Sequence, residues 1–407
     1  MNRLEKLMQE LCPNGVEWKV LGEVCIKTSN IRWKESDKEY YYIDLSSVNV
    51  ENHQIEEPRL INRQNAPSRA QQIILQNDIL FGTTRPLLKR LCLIPSEYDN
   101  QICSTAFCIL RVDVRQLLPQ YLYFLLSIDT FYAYVEKNQE GAGYPAISDT
   151  KIFDYTIPVP PLPIQEEIVR ILETYKKLQE ELKTNLQNEL EAYKTQYEYY
   201  RNHLFDLEGV EGVEWKKLGE VCNFIGGGTP DKNNKSYYGG NIRWATVSDM
   251  NGNFIEDTLY HITDDAIQKS SSKLIKSGSV IISTHVGVGK VCIIKYDTAI
   301  NQDLKAVIPI TDKINIDNKF LLYWFQSQKE FLLSNARGGT VKGIGLDFVK
   351  SMDFPVLPLP VQHRIVSILD RFDTLLNDLT AGIPAEIEAV TRQYEYYRDK
   401  LLTFKRP

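Results

Sequence analysis

The sequence has 407 residues, 43% of them apolar and 25% charged, with a formal net charge of −6. That length exceeds a single core of usual size, so two or more domains of ordinary globular composition are expected. The acidic balance excludes a grip on nucleic acid by bulk positive charge, and any basic surface must be gathered locally.

Neither a run of about 18 apolar residues nor a basic-then-apolar leader follows Met1, so membrane insertion and secretion are not expected. Seven cysteines without a C-x-x-C pair read as reduced thiols in a cytoplasmic protein.

Taken in order, the chain is one module written twice. Gly15-Val16-Glu17-Trp18-Lys19 and Leu21-Gly22-Glu23-Val24-Cys25 return 197 residues on, as Gly212-Val213-Glu214-Trp215-Lys216 and Leu218-Gly219-Glu220-Val221-Cys222. The β-branched runs Leu75–Phe81 and Leu91–Ile94 align with Ile275–Ile281 and Val291–Ile294 and predict strands bounded by turns. Only the second copy carries Gly226-Gly227-Gly228-Thr229-Pro230 ahead of Asp231–Lys235. A scaffold that persists while surface loops diverge suits two copies facing different targets.

Each copy then predicts an aromatic helix, Tyr121–Leu126 or Phe320–Phe325, followed by a glycine loop, Gly141–Pro145 or Arg337–Gly343. Such loops either let backbone amides approach a phosphate or are plain surface turns. The proline runs Ile157–Pro163 and Phe354–Pro360 fix extended backbone, stop the preceding strand and open a helix with a first-turn proline at Pro163 and Pro360.

The helices that follow share a seam. Apolar residues at Ile164, Ile168, Ile171, Tyr175, Leu178, Leu182, Leu186, Leu190, Tyr193, Tyr197, Tyr200 and Leu204 reappear from Val361 to Leu401, every position displaced by 197. This is a coiled-coil pattern with one stutter, and two equal seams are expected to pack on each other. Gly382 and Pro384 predict a break in the second helix, giving two pieces with Pro384 opening the second, and one continuous bent helix is the alternative. The glutamates Glu166, Glu167, Glu180, Glu181, Glu189 and Glu191 read mostly as a solvated face, part of it free for a partner. The expected fold is mixed α/β (α+β): two globular domains, residues 1–157 and 206–354, with spacer helices at 158–205 and 355–407.

Catalytic patterns are missing. Around Gly289-Lys290 the P-loop spacing fails at Thr284 and Val291, Cys292 stands where a dinucleotide fingerprint from Gly287 needs glycine, and five scattered histidines form no metal spacing. No Asn-Pro-Pro-aromatic methyltransferase motif occurs.

The doubled module, the boundary Pro160–Gln165 (PPLPIQ), the stretch Thr380–Glu388 (TAGIPAEIE) and the helix ends Gln196–Leu204 and Gln393–Leu401 together resemble the specificity (S) subunit of type I restriction-modification systems, over essentially the whole length. The resemblance implies two target recognition domains, each reading half of a split DNA sequence, spaced by two long antiparallel helices with pseudo-twofold symmetry. It implies two methyltransferase subunits and restriction subunits as partners, no catalytic site or metal in this chain, and S-adenosylmethionine, ATP and magnesium on the partners. An S-like subunit of a type II enzyme and a coiled-coil scaffold that never touches DNA are the alternatives.

Because Arg and Lys read guanine and phosphate while Asn and Gln read adenine, the candidate DNA contacts are Arg85, Lys89, Arg90 and Tyr144 in the first domain. In the second they are Lys232, Asn234, Lys235, Tyr237, Tyr238, His285, Lys290, Arg337 and Lys342.

Overall fold

The computed structural model describes residues 3–311, 314–338 and 342–404. The chain forms two compact units, one of residues up to Asn185 together with those from Ala385 on, the other Leu186–Pro384.

Both units start from the same two-stranded sheet. Glu17–Val20 pairs antiparallel with Thr156–Val159, Glu17 opposite Val159, and Glu214–Lys217 pairs with Asp353–Val356, Glu214 opposite Val356. The proline runs do stop these strands, at Val159 ahead of Pro160 and at Val356 ahead of Leu357-Pro358, but each run begins inside its strand, with Pro158 and Pro355 facing Trp18 and Trp215. In a two-stranded sheet every strand is an edge, so a residue without an N–H is tolerated.

A second shared piece is a three-strand core. In the first unit Ile79–Gly82 pairs antiparallel with both Leu91–Leu93 and Phe107–Leu110; in the second Val280–Ser283 pairs with Val291–Ile294 and Leu304–Pro309. The remaining strands differ between the copies. The first unit adds a five-stranded sheet that includes Tyr40–Ile43 and Gln101–Ser104, and the second a four-stranded sheet centred on Tyr238–Ala245 and Thr298–Ile300.

The aromatic helices form as expected, over Pro119–Leu125 and Asn318–Ser327. All of Phe320–Phe325 is buried, as a helix apolar all round requires. It packs with Phe354, and Phe131 packs on Phe81 in the first unit.

The long helices run Leu162–Leu204 and Leu359–Leu402, with Pro163 and Pro360 in the first turn. They pair antiparallel in each unit. In the first, Gln179 donates to Thr391 (3.0 Å) and the Tyr175 and Tyr397 rings are 6.1 Å apart; in the second, Tyr197 and Tyr200 lie 6.2 and 5.8 Å from the Phe372 ring. The break expected at Gly382–Pro384 does not occur, since Pro384 lies within one continuous helix. Thr380, whose carbonyl loses its donor there, and Pro384 are both exposed, so the missing bond falls on the solvent side of the helix, where its cost is small.

Glu167 also departs from its expected solvated face. It is buried and holds Arg170 through two hydrogen bonds (2.6 and 3.0 Å), with Arg3 at 3.5 Å. The Arg170 contact keeps its carboxyl below the usual range.

Each helix is fastened to its own unit by a buried glutamine. Gln165 Oε1 accepts from the Leu118 amide (2.9 Å) while its Nε2 donates to the carbonyls of Gln116 (2.8 Å) and Pro160 (2.7 Å). Gln362 repeats the arrangement with the Asp317 amide (2.9 Å) and the Asn315 and Leu357 carbonyls (3.0 and 2.8 Å).

Candidate nucleic-acid interface

The three-strand core of each unit ends in a hairpin loop, and the glycine loop is sewn onto it in the same way in both. At the loop entrance, Thr83 donates its amide and hydroxyl to the Ala106 carbonyl (both 2.9 Å), as Thr284 does to Asp303 (2.9 and 3.2 Å). The carbonyl of each threonine then accepts from the far end of the glycine loop, Ile147 N–H at 3.0 Å and Ile344 N–H at 2.7 Å. The glycine loops close on themselves through Glu140 with Ala146 and Arg337 with Gly343, each pair exchanging two backbone hydrogen bonds.

In the first unit this sewing gathers Arg85, Lys89 and Tyr144. The Arg85 amide donates to the Pro145 carbonyl (2.7 Å), and its guanidinium lies 4.5 Å from the centre of the Tyr144 ring, which is 74% exposed. Lys89 Nζ sits 4.7 Å from the Tyr132 ring and 3.5 Å from Asp129. Arg90 is half-buried at the loop exit, its carbonyl accepting from Gly82. A cation over an aromatic face keeps its charge while its approach is fixed.

In the second unit the gathered residues are His285, Arg337 and Lys342, all exposed, with Lys290 on the same hairpin loop. His285 Nδ1 lies 3.2 Å from Thr284 Oγ1, and a Cβ on Gly343 would approach the His285 ring to 3.1 Å, so the imidazole rests close against the glycine loop. Lys290 Nζ is 3.5 Å from the Val247 carbonyl. Gly339, Thr340 and Val341 of this glycine loop lie outside the described residues.

The remaining candidates sit apart, on the loop and short turn that lead into the four-stranded sheet, with only Tyr238 in one of its strands. Asn234 caps a short turn by accepting from Ser236, Tyr238 donates to the Pro230 carbonyl (2.8 Å) and meets Trp244 edge-on, and Tyr237 packs beside that cluster. These three already serve the fold. Lys232 and Lys235 are exposed, and their loop reaches the hairpin region through Thr229, which donates to Gln302 beside Asp303.

Sequence reasoning missed two features. Lys305 is half-buried on Leu304–Pro309, where burial lowers its pKa; nothing around it in the sequence marks it. The glutamines Gln165 and Gln362 were legible, since each falls two residues after the last proline of its run.

A family described as type I restriction modification DNA specificity domain matches residues 13–192 and again 210–389. The chain belongs to this family. A curated relative, the EcoR124I/EcoR124II type I restriction enzyme specificity subunit of Escherichia coli, is 33% identical over 100% of this chain and 98% of its own length. A putative type I specificity subunit of Haemophilus influenzae is 31% identical over 71% of this chain and 73% of its own. Among solved structures, the HsdS subunit from Thermoanaerobacter tengcongensis has a TM-score of 0.66 at 27% identity, covering 96% of this chain and 97% of that one. A chain from a study of type I R-M complex assembly and conformational transition has a TM-score of 0.76 at 28% identity, covering 96% and 98%. A type I specificity protein serves DNA sequence recognition, and two specificity domains in one chain fit a bipartite target.

Proposed function

We propose that each unit reads one half of a split DNA sequence with the side chains gathered where its hairpin and glycine loops meet. The observation that carries this reading is the same backbone frame built twice with different side chains on it: Arg85, Lys89 and Tyr144 in one copy, His285, Arg337 and Lys342 in the other. Arg85, Arg90, Lys89, Lys290, Arg337 and Lys342 supply guanine or phosphate contacts, and His285 and Tyr144 polar and stacking contacts. Lys232, Lys235, Asn234, Tyr237 and Tyr238 form a second, flanking set.

The long helices set the unread gap. A helix of 43 residues spans about 65 Å, and residues 158–205 and 355–407 act as spacers between recognition domains 1–157 and 206–354. The chain works in the cytoplasm and contributes no catalysis. Two methyltransferase subunits bring S-adenosylmethionine and methylate adenine, and restriction subunits bring ATP and magnesium.

Support for two copies of one partner lies on the long helices, where apolar side chains stay exposed in pairs 197 residues apart: Leu178 (58%) with Leu375 (59%), Tyr199 with Tyr396, Tyr200 with Tyr397. No helix among the described residues is long and apolar enough to cross a membrane.

The test is a graft. Replacing residues 83–90 and 140–147 with those of a relative of different specificity, then sequencing methylated adenines in cells, is expected to change one half-site and leave the other and the spacer intact. Simultaneous change of both halves, or of neither, would refute the assignment.

A further inference from the structure

The hairpin loops carry a feature that cationic base reading does not use. Their strands Ile79–Gly82, Val280–Ser283 and Val291–Ile294 are wholly buried, yet their tips show apolar side chains to solvent: Leu87 (41%) and Leu88 (45%) in one, Val286 (50%) in the other. A single exposed leucine needs no explanation. Three observations set these apart.

The first is backbone strain. Arg85 (φ 48°) and Lys89 (φ 56°) both adopt the left-handed region on either side of a 3-10 turn, Pro86–Leu88, whose proline is buried. Two side-chain-bearing residues in that conformation within five positions mark a turn whose shape is imposed, and such strain gathers at functional sites. The second is that the flanking cations are held away from the tip, Arg85 on Tyr144 and Lys89 between Tyr132 and Asp129. The apolar pair therefore stands clear between two positive charges.

The third is recurrence. In the second unit Val286 stands between His285 and Gly287 (φ 70°), with Gly289 (φ 88°) and Lys290 beyond. No residue of the tip is shared, but the plan of an apolar point on a polar loop that carries a lysine, Lys89 in one copy and Lys290 in the other, returns on the same frame.

Resting on the DNA reading above, we propose that Leu87 and Leu88 form a wedge that enters the first half-site and parts one base step while Arg85 and Lys89 meet the adjoining phosphates. Duplex DNA presents phosphates at the rim of a groove and stacked apolar faces within it, and apolar wedges that unstack a step are a known way to use that geometry. The wedge arrives already shaped, so little conformational freedom is lost on entry. Val286, a smaller side chain on a glycine-flanked turn, gives the second copy a weaker version.

The experiment uses the chain assembled with its methyltransferase partners on its own target, once methylation sequencing has supplied it. Duplexes carry 2-aminopurine at each position of the first half-site except the methylated base. Binding is expected to raise fluorescence severalfold at one step. The double variant Leu87→Ala/Leu88→Ala should abolish that rise and weaken binding tenfold or more, with the melting temperature unchanged because both side chains are exposed. Val286→Ala should weaken binding by less than the double variant does.

Specific binding without a fluorescence rise, or a rise that survives in the double variant, overturns the wedge and leaves the DNA reading standing. A variant that loses only its preference for thymine at one position also overturns it, in favour of contact with a methyl group. Failure of the unaltered complex to bind any methylated target specifically overturns the DNA reading itself.

Discussion

Replacing Gln165 by alanine tests how the recognition domain is held on its helix. The side chain is fully buried and makes three hydrogen bonds, to the Leu118 amide and the Gln116 and Pro160 carbonyls. Losing them at about 1 kcal/mol each, with a small cavity in place of the amide, gives a cost of about 3–5 kcal/mol. For a unit of this size each kcal/mol moves the midpoint by about 2–4 °C, so a fall of about 6–20 °C is expected in thermal unfolding of the full chain.

Gln362→Ala removes the matching three bonds and should give a similar fall. Gln187→Ala, on the exposed face of the same helix as Gln165, should change stability by less than about 0.5 kcal/mol. Gln165→Glu keeps the acceptor but turns a carboxylate toward two carbonyls. Its acid must then lose its proton less readily in the folded state, so this variant should be less stable at pH 8 than at pH 5. Midpoints for both alanine variants within 2 °C of the parent would refute the staple.

Two further expectations follow from packing and burial. A Cβ on Gly227 would lie 2.1 and 2.2 Å from the carbonyl oxygens of Asn301 and Ile300, whereas one on Gly382 meets nothing within 4 Å. Gly227→Ala should therefore cost about 3 kcal/mol or more, while Gly382→Ala, inside a helix, should stabilise by about 0.5–1 kcal/mol in urea unfolding; equal effects would contradict the packing around Gly227. Burial pushes the thiols of Cys25, Cys92, Cys222 and Cys292 up to about 12, with nearby Asp78 adding to the rise at Cys25, and burial raises Cys103 and Cys108 well above the ordinary value. At pH 8 a thiol with that pKa is thiolate about one part in ten thousand, so iodoacetamide should label Cys12 first and the other six only on unfolding. Rapid labelling of Cys92 in the native protein would refute this.

The frame was legible in the sequence because a repeat of fixed period constrains every level at once. The Trp-containing strand, the proline boundary and the seam all recur 197 residues apart, and the structure keeps each of them; the fastening glutamine recurs with them, though its role was missed. What failed to read through depended on partners that no local pattern names. Glu167 was assigned to solvent although it is buried in the folded unit, where the distant Arg3 lies 3.5 Å from it besides its helix neighbour Arg170. Pro158 was not foreseen inside the strand because nothing nearby tells that its sheet has only two strands. The candidate contacts divide for the same reason: Arg85 and Tyr144 lie about 60 residues apart and meet through the backbone bonds that join the two loops, Arg85 to Pro145 and Ile147 to Thr83, whereas Tyr237 and Tyr238 look available in sequence and are engaged in packing.

Pro384 leaves the two long helices unequal in a way their matched seams conceal. One rung of the backbone ladder is missing at that turn of the second helix, beside Gly382 and facing water, while the first helix carries Gln187 at the corresponding place with its amide intact. Stress passed along the pair will be relieved first there, by a local opening of a single turn, so the two halves of a duplicated chain are matched in form and unmatched in stiffness.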